Sequence, residues 1–211
     1  MDPVALAYRE TLGRLDRWFD EAVARNPGVI PCRAGCSACC HGPFDISAAD
    51  ALLLREALAE LPPADRADIR ARAVETLEQV KEQAPEWRAP WDIADLGEER
   101  FDGISESLYD VPCPCLDGEG RCRVYASRPL VCRLIGLPMM TAEGELLENA
   151  CPIQEDFPDY ALLDPQLFDL GALEQRESGH KEAAAEKLFG GWNRAGFETI
   201  IAAVASEAER R

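Results

Sequence analysis

Apolar side chains recur at helical spacing from the start of the chain. Val4, Tyr8, Leu12, Leu15, Phe19 and Ala22 form one stripe and predict an amphipathic helix over residues 3–25, which Asn26-Pro27-Gly28 stops. Ser47-Ala-Ala-Asp50 reads as an N-cap with an acid in the first turn, opening a helix that runs to about Leu61. Pro62-Pro63 breaks it, and Pro63 suits the first turn of a third helix. Ile69, Ala73, Leu77 and Val80 mark that helix's buried face, which extends to about Ala84. Over residues 85–110 the period is lost among Pro85, Trp87, Pro90, Trp91, Gly97 and Gly103, which predicts a surface-crossing loop pinned by its tryptophans. Further on, Asp117-Gly-Glu-Gly120 signals a turn, Cys122–Tyr125 a short strand, and Leu134–Leu147 a small hairpin about Ala142-Glu-Gly144. Two or three helices close the chain between about 164 and 210, the last over 194–209 with Phe197, Ile201, Val204 and Ala208 facing inward. The pattern predicts a mainly α, single helical domain over residues 1–211, in which two irregular cysteine-rich segments converge on a metal centre.

A chain of 211 residues can build a core of its own, so a metal need not be its sole source of stability. No basic, apolar leader opens the sequence, and no apolar run approaches the ~18 residues a membrane span needs. These features predict a reducing, cytoplasmic setting, where clustered cysteines serve as ligands or redox centres. Acidic residues outnumber Lys plus Arg by 39 to 22, a net charge of −17. Such a field disfavours nucleic acid and anionic lipid as partners, which leaves a protein or small-molecule substrate.

The chemistry lies in the nine cysteines. Four fall in Cys32-Arg-Ala-Gly-Cys36-Ser-Ala-Cys39-Cys40, and Cys113, Cys115, Cys122, Cys132 and Cys151 follow much later. Adjacent thiols and a three-residue gap give poor disulfide geometry, whereas short loops fold thiolates onto one metal. Nine thiols, less one or two spares, suit two four-thiolate sites, or one site with thiols left over. Only Cys36 and Cys39 form a zinc-type knuckle. Cys32, Cys36 and Cys39 match a loop that holds three corners of an iron–sulfur cubane, and Cys113-Pro114 and Cys151-Pro152 carry the Cys-Pro step of remote cluster ligands. The balance favours a 4Fe–4S cluster, with zinc as the alternative. The spacing also fits radical S-adenosylmethionine enzymes, but the chain is too short and too helical for their barrel. Cys36-Ser-Ala-Cys39 lacks the βαβ setting of a redox dithiol.

Around these thiols, residues 121–133 hold four arginines and no acid. Arg128 and Arg133, flanking Pro129 and Cys132, are placed to balance thiolate charge or to bind an anion. His41 follows Cys40 and suits a hydrogen bond to a ligand sulfur more than ligation. His180, among charged helix formers, reads as solvated. No catalytic residue can be picked out.

The whole layout, Cys-x3-Cys-x2-Cys-Cys, then Cys113-Pro-Cys-Leu116, Cys122-x-Val-Tyr125-x-x-Arg128-Pro129-x-x-Cys132-Arg133 and a last cysteine at 151, resembles the YkgJ-like cysteine-cluster family, a zinc- or iron-chelating domain. The resemblance covers about residues 30–155. It implies eight ligands: Cys32, Cys36, Cys39, Cys40, Cys113, Cys122, Cys132 and Cys151. Cys115 stands where the family more often has an apolar residue, which marks it as the spare thiol. Members are often named iron–sulfur oxidoreductases, and a related domain occurs in flagellin lysine methylases. The function expected is therefore metal binding with a redox or substrate-modifying role. The alternatives are a structural zinc scaffold for a partner protein and, by analogy alone, a methyltransferase-like accessory.

Overall fold

The computed structural model describes residues 2–33, 35–147, 149–191 and 194–207. Helix α1 spans Pro3–Arg25. Asp2 caps it by accepting a hydrogen bond from the Val4 amide at 2.8 Å, and Pro3 occupies the first turn, where no amide donor is needed. Its stripe packs as the pattern predicts, with Tyr8 and Leu12 fully buried. Strand β1, Asp45–Ser47, leads directly into α2, Ala48–Glu60. Ser47 and Asp50 form a reciprocal capping box at that junction. Helix α2 is the central element, flanked by α1, by α7 (Leu170–Phe189) and by α8 (Ile201–Ser206). Leu53, Leu54 and Leu58 are fully buried, and each contributes about 2 kcal/mol of apolar burial. Helix α3, Pro63–Gln83, lays Ile69, Ala73, Leu77 and Val80 against α8 and the main core.

Four expectations need correction. Residues 85–110 are not an irregular loop, because they hold α4, Ile93–Leu96, and α5, Glu98–Ser107. Both helices are too short to show a period, although Phe101 and Ile104 fall three apart on the buried face of α5. The tryptophans do pin the segment. Trp87 and Trp91 are buried edge to face with ring centroids 5.3 Å apart, and Trp87 Nε1 donates to the Asp92 carbonyl at 2.8 Å. Second, Cys122–Tyr125 is not a strand. It makes one antiparallel bridge, Leu116 to Cys122, and passes into a 3-10 turn over Tyr125–Ser127. Third, the start of the expected hairpin is taken by α6, Val131–Leu134, and the hairpin survives only as a tip. In that tip Thr141 donates to the Glu145 carbonyl and Leu147 to that of Met139. Met139–Met140 (β2) instead pairs in parallel with Gln166–Leu167 (β3).

Fourth, the closing helix does not begin at 194. Thr199, Ile200 and Ile201 are β-branched, and Glu198–Ile200 becomes strand β4, antiparallel to β1 with Asp45 opposite Ile200 and Ser47 opposite Glu198. Helix α8 starts only after it, and Phe197, Ile201 and Val204 are buried as expected. Ala208, the last residue of that predicted face, lies outside the described residues. No helix among the described residues is long and apolar enough to cross a membrane. The two cysteine-bearing segments pack along one side of this helical framework, with Cys113, Cys115, Leu116 and Val124 built into its main core.

Candidate metal centre

Two turns shape the first cysteine loop. The Cys36 amide donates to the Arg33 carbonyl at 3.0 Å and the Cys40 amide to that of Ser37 at 2.9 Å. The loop then meets the second segment edge to edge. Gly42 donates to Val111 at 2.7 Å, His41 bridges Pro112, and the Cys113 amide donates to the Cys40 carbonyl at 2.9 Å. This antiparallel contact is what converges segments some seventy residues apart in the sequence. From Cys113 the chain turns within four residues, since Leu116 donates to the Cys113 carbonyl at 3.1 Å. Asp117 then closes a loop by accepting at one carboxylate oxygen from the amides of Glu119 and Arg121, both at 2.8 Å. Arg123 donates to the Cys115 carbonyl at 2.9 Å, which sets Cys122 back beside Cys113 and Cys115.

Cys132 arrives on α6. Its approach is fixed by Asp50, whose carboxylate accepts from the Leu130 amide at 2.9 Å. Cys32 is fixed from the other side. Its thiol donates to the Ile135 carbonyl at 3.6 Å, and it lies against Gly136, where φ is +103°. A Cβ at Gly136 would stand 2.2 Å from the Cys32 sulfur, so only glycine fits. Gly136 donates to the Asn149 carbonyl at 2.7 Å, and the Asn149 side chain donates to the carbonyls of Leu134 and Leu137, both at 2.6 Å. The Tyr160 hydroxyl accepts from the Cys151 amide at 3.2 Å.

These contacts enclose one cavity of about 500 Å³. Eight of the nine cysteines line it, all but Cys151, whose neighbours Ala150 and Pro152 do. His41 and the side chains of Phe19, Phe44 and Tyr109 complete the wall. All nine cysteines are free thiols. Cys151 is nonetheless within electrostatic reach of Cys32, Cys36 and Cys39, so the site brings every sequence-predicted ligand into one region. Cys115 is fully buried and shares a thiol hydrogen bond with Cys113. His41 is half-buried at the cavity wall, beside Cys40.

The thiol pKa values follow from burial and mutual repulsion. Burial pushes Cys32 up to about 12 and Cys122 to about 11, and drives Cys132 well above the usual thiol range. Cys39 runs the other way, to about 7, because its thiolate accepts the hydrogen bond of Cys40, whose own pKa is raised in turn. Cys113 is likewise lowered by the thiol of Cys115. So many thiols in one cavity resist ionising together unless a cation balances them, which is the electrostatic signature of a soft-metal donor set. Among the described residues no group of three or more His, Cys, Asp or Glu side chains already stands so as to hold a metal ion. The donor chemistry of the thiols that line the cavity fits zinc or iron.

The two arginines singled out from the sequence line the cavity, and their hydrogen bonds run to protein oxygen. Arg128 Nη2 pairs with Asp16 at 2.8 Å, and its guanidinium lies 4.2 Å from the centroid of the Tyr125 ring. Arg133 is buried, pairs with the other oxygen of Asp16, and donates to the carbonyls of Arg128 and Ala126 at 3.0 and 3.2 Å. Arg128 still exerts a favourable charge effect on the thiolates of Cys32 and Cys122. Asp16, Asp50, Gly136 and Tyr160 escape a reading of the sequence. Asp16 and Asp50 are acids in helices rich in acids, and only the fold shows what they face. His180 also needs correction: it is half-buried, with Nε2 3.0 Å from Thr11 Oγ1 and its ring 5.4 Å from that of Tyr8. Packing of α7 against α1 covers part of it.

The cysteine-rich family described as a "putative zinc- or iron-chelating domain", CxxCxxCC, matches residues 31–152. The chain belongs to this family. That range runs from the residue before Cys32 to the residue after Cys151, so it takes in every cysteine and most of the cavity wall, with Phe19, Asp20, Val23 and Ile201 contributed from outside it. Binding of zinc or iron is the activity that the family and the donor set jointly support. No curated protein and no solved structure is significantly similar to the chain.

Proposed function

We propose that the cavity holds an iron–sulfur centre, and that the protein uses it in the cytoplasm for electron transfer or for modifying a small substrate or a partner protein. The observation that supports this is room. A structural zinc is enclosed by its four thiolates, whereas here eight thiols line a space of about 500 Å³ whose wall also carries Phe19, Phe44, Tyr109 and His41. Cys32, Cys36 and Cys39 would supply the short-loop ligands and a remote cysteine the fourth; the centre would supply one-electron chemistry. The protein's own residues would tune it. Asp16 holds Arg128 and Arg133 at the wall, and Tyr109, 58 % exposed, stands where a substrate would enter. The net charge of −17 makes nucleic acid and anionic lipid poor partners.

Zinc is the second reading. It is favoured by the scarcity of regular structure over residues 108–130, where a metal would hold turns that few ladder hydrogen bonds secure. Protein purified without oxygen decides between the two. Iron with equimolar acid-labile sulfide and broad visible absorption supports the proposal. A colourless protein carrying zinc alone refutes it.

A further inference from the structure

We infer that the thiols divide between two neighbouring metal centres: Cys32, Cys36, Cys39 and Cys151 hold one, and Cys40, Cys113, Cys122 and Cys132 the other. The inference rests on the reading that these thiols bind metal, and it does not depend on whether that metal is iron or zinc.

Packing separates the two sets. Cys113 belongs to the main core, with Cys40 and Cys122 packed against it. Cys32 instead packs on a separate apolar cluster made by Ala22, Ile30 and Leu137. Backbone contacts tie most of each set together. Cys40, Cys113 and Cys122 are joined by the Cys40–Cys113 hydrogen bond, the Leu116–Cys122 bridge and the Arg123–Cys115 hydrogen bond. Cys32 is tied to Ile135, Gly136 to Asn149, and Cys151 to Tyr160. The sets meet at a seam where the Cys39 and Cys40 thiols touch, the Cys40 amide donates to the Ser37 carbonyl, and Asn149 donates to the Leu134 carbonyl on the helix of Cys132.

Electrostatic neighbours agree with this grouping. Cys36, Cys39 and Cys151 surround Cys32, whereas Cys113 and Cys122 lead the thiols around Cys132, with Cys39 at the seam acting on Cys113 and Cys132 as well. Donor arithmetic closes as well. Zinc sites and iron–sulfur clusters each take four thiolates, so eight ligands complete two centres with none left over. Cys115, fully buried beside Cys113, then serves as packing for the second centre. The cavity, at about 500 Å³, is many times the roughly 30 Å³ share of one water molecule, so its size does not limit it to a single ion.

The test is a cobalt(II) titration of reduced, metal-free protein under anaerobic conditions, followed by thiolate-to-cobalt charge-transfer absorption. The unsubstituted chain should bind two cobalt ions. The Cys32→Ser, Cys151→Ser double variant should bind one, and so should the Cys122→Ser, Cys132→Ser double variant, each keeping tetrathiolate absorption. A single cobalt per unsubstituted chain overturns the division while leaving metal binding intact, as does loss of all cobalt in a variant whose helical circular dichroism is unchanged. If a variant fails to fold, the stoichiometry of the unsubstituted chain decides alone. No cobalt at all in the unsubstituted chain overturns the metal-binding reading itself.

Discussion

Replacing Glu177 by glutamine should stabilise the protein. The Tyr8 hydroxyl, fully buried between α1, α2 and α7, lies 3.0 Å from Asp50 Oδ1 and 3.1 Å from Glu177 Oε1. One phenolic proton cannot serve two carboxylates, so one acid faces an oxygen lone pair. Asp50 is well supplied, because Ser47 and the Leu130 amide also donate to it. Among the described residues Glu177 has only the tyrosine and Lys181, whose Nζ is 4.0 Å away and which also pairs with Glu198. Burial holds the carboxyls of both Asp50 and Glu177 above the usual carboxylate range, with Lys181 lowering Glu177 only in part. In Glu177→Gln the amide would donate to the tyrosine oxygen while the tyrosine donates to Asp50, and every polar atom is matched. A neutral buried hydrogen bond is worth about 1 kcal/mol and the lost ion pair, long at 4.0 Å, about 0.5 kcal/mol, for a net gain of roughly 0.5 kcal/mol. In a chain of this size that raises Tm by about 1–2 °C.

The pH dependence supplies the sharper check. A carboxyl raised in the fold keeps its proton there longer than in the unfolded chain, so its contribution is most favourable at low pH. That contribution declines as pH rises from the unfolded value, near 4.5 for Glu177, through the folded one. Urea melts of wild type and variant should therefore diverge with rising pH, the wild type losing stability that the variant keeps. A variant destabilised by about 1 kcal/mol at neutral pH, or a difference that stays constant with pH, refutes the reasoning.

Other substitutions probe the cavity wall. Asp16→Asn leaves the buried Arg133 with two carbonyls and no counter-charge, and should cost about 2–3 kcal/mol in urea unfolding, below the full penalty of an unpaired buried ion. Gly136→Ala would drive a methyl into the Cys32 sulfur, and should lower metal content measured by atomic emission before it lowers helicity. Cys115→Ala should keep full metal with a loss of roughly 1 kcal/mol, whereas Cys113→Ala should lose metal at that site; the reverse outcome would exchange the two assignments.

Helices α1, α2 and α3 and the Ser47–Asp50 cap were legible because their signals are local: a stripe of 3.6 period, a proline at the first turn, an acid three residues past a serine. Strand β4 was not, because its partner Asp45–Ser47 lies some 150 residues away and the β-branched run Thr199–Ile201 also fits a helix face. Helix α5 was hidden by its brevity and by the glycine within it. That the cysteines mark a metal-chelating domain was legible from their spacing, since thiols in that pattern have few other uses. What spacing cannot convey is the backbone ladder from Cys40 to Cys113, or the reach of Asp16 across to the arginines beside Cys132. Both depend on tertiary contacts that a one-dimensional pattern does not contain.

The central claim, that the gathered thiols hold metal, is tested most directly by alkylating native protein under anaerobic conditions before and after chelation, with metal measured on the same sample. Cys32, Cys36 and Cys39 are each only half-buried, and as free thiols they would react, Cys39, lowered to about 7, the fastest and Cys32, raised to about 12, the slowest. The account predicts that the native protein carries zinc or iron and that these three resist alkylation until a chelator removes it, whereupon they are modified and the melting temperature falls. Native protein without zinc or iron, in which these cysteines react at the rate of free thiols, would contradict it.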